Sequence, residues 1–209
     1  MRTVLFDVDG VLVHGYHAKP EKQRRWDEHM EADLGISPEA FKTTFIRGLF
    51  ESHVIVGQMS LVNALEQVLP ALGYSGSPLT LISYWLERDS HLNHQLLDLV
   101  RRLRRTGSAK LCVATNQEHL RAFHLWNNLG FRTVFDDMFN SARLGAMKPD
   151  RAFFERISQL LGEQAEPPLM FDDSSAVIAA ATEFGWEGVL FEEVGDCSGH
   201  PWIQKQLVE

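Results

Sequence analysis

Asp7 and Asp9 stand two positions apart at the end of an apolar run, Val4-Leu5-Phe6, and Gly10 follows them. A β-prone run that ends in acids and a glycine reads as a buried strand leaving a sheet at a tight bend. Because side chains alternate along a strand, the two carboxylates are expected to point the same way. Acids crowded on one side of a strand end repel each other unless a cation sits between them, and an oxygen-seeking hard cation suits such donors. A second acidic strand end follows Leu169-Met170-Phe171, at Asp172-Asp173. Thr115 and Asn116 close a third apolar run, Lys110 to Ala114, and Lys148 stands in the loop Met147-Lys148-Pro149-Asp150.

These residues act together only if the chain gathers them, and the pattern of elements does that. Strand-like runs alternate with amphipathic stretches such as Leu96-Val100-Leu103, Phe153 to Leu161 and Val177 to Phe184, and a last short strand covers Gly188 to Phe191. Alternating strands and helices predict an α/β fold with a parallel sheet covered on both faces. Such a sheet brings the C-terminal ends of its strands to one rim, so groups a hundred residues apart converge. Asp136-Asp137-Met138-Phe139 is expected to lead into the loop that carries Lys148, and Cys197 to lie in a C-terminal loop.

Between Val13 and Asn93 the strand signal disappears and a helical module is expected. Its first helix opens at Pro20, carries Trp26, Met30 and Leu34, and stops at Gly35. Ser37-Pro38 opens a second with Phe41, Phe45 and Leu49, Ser60 caps a third that ends at Gly73, and Ser77-Pro78 opens a fourth. Residues 1–13 and 93–209 are thus expected to form the core, with residues 14–92 as an inserted four-helix module.

Taken in order, Asp7-Val8-Asp9-Gly10, Ala114-Thr115-Asn116-Gln117, Met147-Lys148-Pro149-Asp150 and Phe171-Asp172-Asp173-Ser174 resemble the four motifs of the haloacid dehalogenase-like hydrolase superfamily over nearly the whole chain. The insert after the first motif resembles the placement of a four-helix cap. The resemblance implies a Rossmann-like core under a mobile lid, and it implies roles. Asp7 would be the nucleophile that forms an aspartyl-phosphate. Asp9 would protonate the leaving oxygen and later take a proton from water. Lys148 would neutralise the transferring group, and the Thr115 hydroxyl and the backbone N–H groups after it, from Asn116 on, would bind phosphoryl oxygens. Asp172 and Asp173 would complete a Mg2+ site with the Asp7 carboxylate and the Asp9 backbone carbonyl; oxygen donors without cysteine or paired histidine favour magnesium over zinc. One position departs from the pattern: an asparagine common four residues after the second acid is Val177 here, and Ser174 or Ser175 is the expected substitute.

Composition narrows the field further. The 209 residues are 44% apolar, ample for a packed core, and 20 Lys plus Arg against 28 Asp plus Glu give a charge of -8. That balance disfavours a nucleic-acid partner. The basic cluster Arg101 to Arg105, at the end of a helix-like run, suits the helix dipole. Two cysteines, Cys112 and Cys197, make no disulfide framework, and without a leader-like segment or a long apolar run a soluble cytoplasmic protein away from membranes is expected, monomeric or homodimeric. His91 and His94 read as surface residues, while His14, His17, Lys19, Arg47 and His53 are candidates to reach substrate from the hinge or lid. The expected activity is a magnesium-dependent phosphatase for a small phosphorylated metabolite, a sugar phosphate or a nucleotide. A phosphomutase and a non-catalytic phospho-ligand-binding regulator are the competing readings. Asp9 favours phosphate esters over haloacids, because halide leaves without a proton and an alkoxide does not.

Overall fold

The structure, a computed structural model, describes residues 1–208. Five parallel strands form one sheet in the order β3-β2-β1-β4-β5, with β1 at Arg2–Phe6, β2 at Ala109–Thr115, β3 at Asp137–Asn140, β4 at Leu169–Asp172 and β5 at Glu187–Leu190. β1 runs beside both β2 (Phe6 level with Val113) and β4 (Phe6 level with Phe171), so the strand order reverses next to it. In such sheets the crevice outside the carboxyl ends at the reversal is where ligands bind.

Alternation along the strands builds two apolar layers. Val4, Phe6, Leu111, Val113, Leu169 and Phe171 pack on one face with His94–Thr106 and Pro201–Val208; Leu5, Cys112, Ala114 and Met170 pack on the other with Arg151–Leu161 and Ser175–Phe184. A third apolar cluster belongs to the helical segment alone, around Phe41, Phe45, Leu65 and Trp85. Among the described residues no helix is long and apolar enough to cross a membrane.

Several expectations need correction. No helix starts at Pro20: a single turn at Pro20–Lys22 gives way to irregular chain, and the helix covers only Met30–Leu34. The intervening residues are spoken for otherwise, since Arg24 N–H donates to Gly15 O, the Gln23 amide donates to His17 O, and Trp26 stacks on Trp85 at 4.8 Å between ring centroids. The second helix starts at Pro38 and widens over Lys42–Val54 into a π-helical form that bends at Gly48. The segment expected only to lead into the Lys148 loop forms the edge strand β3, Asp137–Asn140, too short and too acidic to stand out in sequence. Cys197 is buried in a helix, Val194–Ser198, rather than in a loop.

Candidate active site

The rim of the sheet faces a cleft of about 760 Å³ roofed by the helical segment. β1 ends at Phe6, and Asp7 N–H still donates to Phe171 O of β4, so the first acid is fixed by the sheet while Asp9 lies in the turn beyond it. That turn closes on itself through Val13 N–H to Val8 O at 2.8 Å and Gly10 N–H to Val13 O at 3.0 Å. Gly10 takes φ of +77°, and a Cβ there would collide with the Asp173 carboxylate. A glycine is required on both counts.

Asp7, Asp172 and Asp173 are buried, and each offers an oxygen within 4.8 Å of the others. Lys148, only 3% exposed, sits among them, with Nζ 2.8 Å from Asp7 Oδ1, 2.6 Å from Asp172 Oδ2 and 3.0 Å from Ala114 O. Asp7 Oδ1 also accepts from Val8 N–H at 2.7 Å, which leaves Oδ2 without a partner among the described residues. Burial pushes the Asp7 carboxyl up to about 7, with Asp172 and Asp9 adding repulsion against the pull of Lys148. Burial likewise raises Asp172 and Asp173, and although burial alone would lower Lys148, Asp172 and Asp7 hold it above its ordinary value. Three crowded carboxylates against one ammonium leave room for a cation, and an all-oxygen set fits a hard divalent ion.

Asn116 serves its neighbour. Its amide nitrogen donates to Lys148 O at 2.9 Å and its carbonyl accepts from Lys148 N–H at 2.8 Å, so the side chain orients the lysine loop rather than reaching into the cleft. The contact expected with a phosphoryl group is one from its backbone N–H. Thr115 is buried at the end of β2, lines the cleft, and uses its hydroxyl in no hydrogen bond among the described residues. Ser174 caps the helix Ser175–Phe184 and its N–H donates to Asp172 Oδ1 at 2.9 Å. Neither Ser174 nor Ser175 holds Asp173. Ala18 N–H does so at 2.6 Å from Oδ2, and His17 Nδ1 lies 3.1 Å from the same oxygen.

Asp9 lines the cleft as expected, but the three-carboxylate cluster does not include it. Arg121 Nη2 lies 2.7 Å from its Oδ1 and Nη1 2.9 Å from its Oδ2, while the Gln117 amide donates to Oδ2 at 2.6 Å. Arg121 is buried and also meets Asp89, with Nη2 3.0 Å from Oδ2. Burial drives Asp89 up to about 6 despite that contact; burial would lower Arg121, yet Asp89 and Asp9 raise it. None of these partners was anticipated. Gln117 precedes the helix His119–Phe123 that carries Arg121, and Arg121 Nη1 donates to its Oε1 at 3.1 Å, whereas nothing in the sequence ties Asp89 to them.

Of the five candidates from the hinge or lid, Arg47 lines the cleft, and His17 meets Asp173 instead. Lys19 pairs with Glu192, His53 with Gln58 at 3.0 Å, and His14 is exposed beside His91, so these three are not brought to the cleft. Arg101 pairs with Asp98 and Arg104 with Asp136 on the outer surface. Both thiols are buried and pushed up to about 12 by that burial, which leaves them inert.

A family model for haloacid dehalogenase-like hydrolases matches residues 1–185. No curated protein matches the chain. Among solved structures, an enzyme of that family from Bacteroides thetaiotaomicron is similar at 17% identity, over 98% of each chain, with a TM-score of 0.75. The same enzyme in complex with magnesium and inorganic phosphate aligns over 91% of this chain and 93% of its own at 16% identity and a TM-score of 0.72. A predicted HAD-like family hydrolase from Porphyromonas gingivalis aligns over 100% of this chain and 98% of its own at 20% identity and a TM-score of 0.71. At these identities the likeness is one of fold.

Proposed function

The chain belongs to the haloacid dehalogenase-like hydrolase family, and from that premise we propose that it is a magnesium-dependent phosphatase acting on small phosphorylated metabolites through an aspartyl-phosphate on Asp7. The observation that carries the reading is Lys148 held between Asp7 and Asp172 within a buried three-carboxylate cluster. That the Bacteroides enzyme of the same fold binds magnesium and inorganic phosphate supports it.

In this reading Asp7, Asp172 and Asp173 hold the magnesium ion, with the Asp9 backbone carbonyl. The ion supplies charge neutralisation for the phosphoryl oxygens. Asp7 Oδ2, the unpartnered oxygen, attacks phosphorus; the new O–P bond forms as the bond to the ester oxygen breaks, and Asp9 gives that oxygen a proton. Lys148 and the Thr115 hydroxyl stabilise the charge that accumulates on the phosphoryl oxygens. Water then attacks phosphorus as Asp9 takes its proton, which releases inorganic phosphate and restores Asp7.

Residues 14–92 serve as the lid. Two observations support that assignment: the helical segment has its own apolar cluster, and its two crossings to the core lie side by side, with His14 N–H donating to His91 O at 2.7 Å. Arg47, Trp26 and Trp85 then face whatever is attached to the phosphate, a sugar or a nucleoside. Phosphate release from a panel of phosphorylated metabolites, with magnesium and with excess chelator, tests the reading. Turnover on at least one ester, abolished by chelator, is expected; full turnover in chelator or none on any ester would overturn it.

A further inference from the structure

We propose that Arg121 is a positioning residue that holds Asp9 at rest and passes its guanidinium to Asp89, at the lid crossing, when the Asp9 side chain turns towards the leaving oxygen. The proposal rests on the phosphoryl-transfer reading above.

Both Asp9 oxygens accept N–H groups, Oδ1 from Arg121 and Oδ2 from Arg121 and Gln117. A carboxyl group that protonates a leaving oxygen must turn an O–H towards it, so at least one of these contacts has to break first. A buried guanidinium N–H left without an acceptor is costly, and the exchange needs a second acceptor within reach. Asp89 is that acceptor. Its Oδ2 and its backbone carbonyl already lie 3.0 and 3.2 Å from Arg121 Nη2, while its Oδ1 is buried with no hydrogen-bond partner. An unpartnered carboxylate oxygen in a buried site is unusual enough to need an explanation, and a place for the displaced N–H supplies one.

The location of Asp89 couples this exchange to the lid. Asp89 ends the helix Pro78–Arg88, where the chain returns to the core, and Trp85 Nε1 donates to its Oδ2 at 3.1 Å. Gly15, on the outgoing crossing, lies so close that a Cβ would collide with Asp89 Oδ1. Both crossings therefore border the oxygen that receives the guanidinium, and a lid that moves changes which carboxylate Arg121 grips.

Two measurements test this. The first is single-turnover phosphorylation of Asp7 by an alkyl phosphate and by p-nitrophenyl phosphate, in magnesium, for Asp89→Asn and Gly15→Ala. Each variant removes or blocks the receiving oxygen, so the alkyl ester should slow about 10-fold or more while the aryl ester, whose phenolate leaves without a proton, changes little. Two variants are used so that misfolding of one leaves the other decisive. The second measurement needs no turnover: thermal unfolding of Asp9→Asn, Asp89→Asn and the double variant. A guanidinium shared by two acceptors tolerates the loss of either, so the double variant should lose more in Tm than the two single losses combined. Additive losses, or equal slowing of both esters, would overturn the role of Arg121. An inactive wild-type chain whose Tm losses are still more than additive would place the failure in the phosphatase reading instead.

Discussion

Lys148 Nζ lies 2.8 Å from Asp7 Oδ1 at the buried end of the cleft, the ammonium of one loop set against the carboxylate that leaves the first strand. A donor fixed there before a substrate arrives stabilises charge without reorganising. Lys148→Met should therefore lower kcat about 10²- to 10³-fold, the cost of removing one preorganised donor. Lys148→Arg should not restore it, because the planar fork does not fit a point-charge site closed in by Ala114 O and Asp172. Near-normal kcat in Lys148→Met would remove Lys148 from the mechanism, and near-normal kcat in Lys148→Arg would show that a positive charge of either shape suffices.

The Asp7 carboxyl, pushed up to about 7 by burial, makes the metal-free protein sensitive to pH. A carboxyl raised in the folded state binds more protons there than in the unfolded chain, so stability is highest below about pH 4 for this group and falls as pH rises towards 7. Magnesium should offset that fall, since it binds only the folded cluster and competes with the proton. The rise in Tm on adding magnesium should be larger at pH 8 than at pH 5.5, and Asp7→Asn should flatten the pH dependence of the metal-free protein. An equal rise at both pH values would show that the ion binds elsewhere.

Gly10 is the close-packed point of the first loop, with Asp173 directly against it. Gly10→Ala should cost about 1–2 kcal/mol for the left-handed backbone alone. It should also displace the Asp173 carboxylate and weaken magnesium binding measured by calorimetry. Unchanged magnesium affinity would mean that Asp173 is not a ligand.

Arg47 reaches the cleft and His53 does not, because the bend at Gly48 separates them within Lys42–Val54. Arg47→Ala should reorder kcat/KM among phosphorylated metabolites while leaving a minimal phosphate ester little affected. His53→Ala should change neither. A reordering by His53→Ala alone would assign substrate contacts to the wrong side of the helix.

The groups at the strand ends could be read in advance because each follows an apolar run whose β character is local, and a parallel sheet then has one place to put them. Asp9 shows where that reading stops. Its partners Gln117 and Arg121 come from the segment after β2, Arg121 is shared with Asp89 of the returning lid crossing, and an isolated Arg121 or Asp89 looks like any charged surface residue. The same limit hid Ala18, which meets Asp173 through a backbone N–H that no side-chain pattern marks. The expected helix at Pro20 failed for a related reason: the Trp26–Trp85 stack and the bonds from Gln23 and Arg24 to the first crossing outweigh a favourable start signal.

In the proposed reaction Asp7 carries the phosphoryl group, and Asp9→Asn makes it visible. With Asp9 unable to activate water, the intermediate should form from p-nitrophenyl phosphate and decay slowly. After rapid quenching, mass spectrometry of peptides from Asp9→Asn should find one added phosphoryl group on Asp7, and none in Asp7→Asn. Release of p-nitrophenol with no phosphorylated peptide, or with the phosphoryl group on another residue, would show that Asp7 is not the nucleophile.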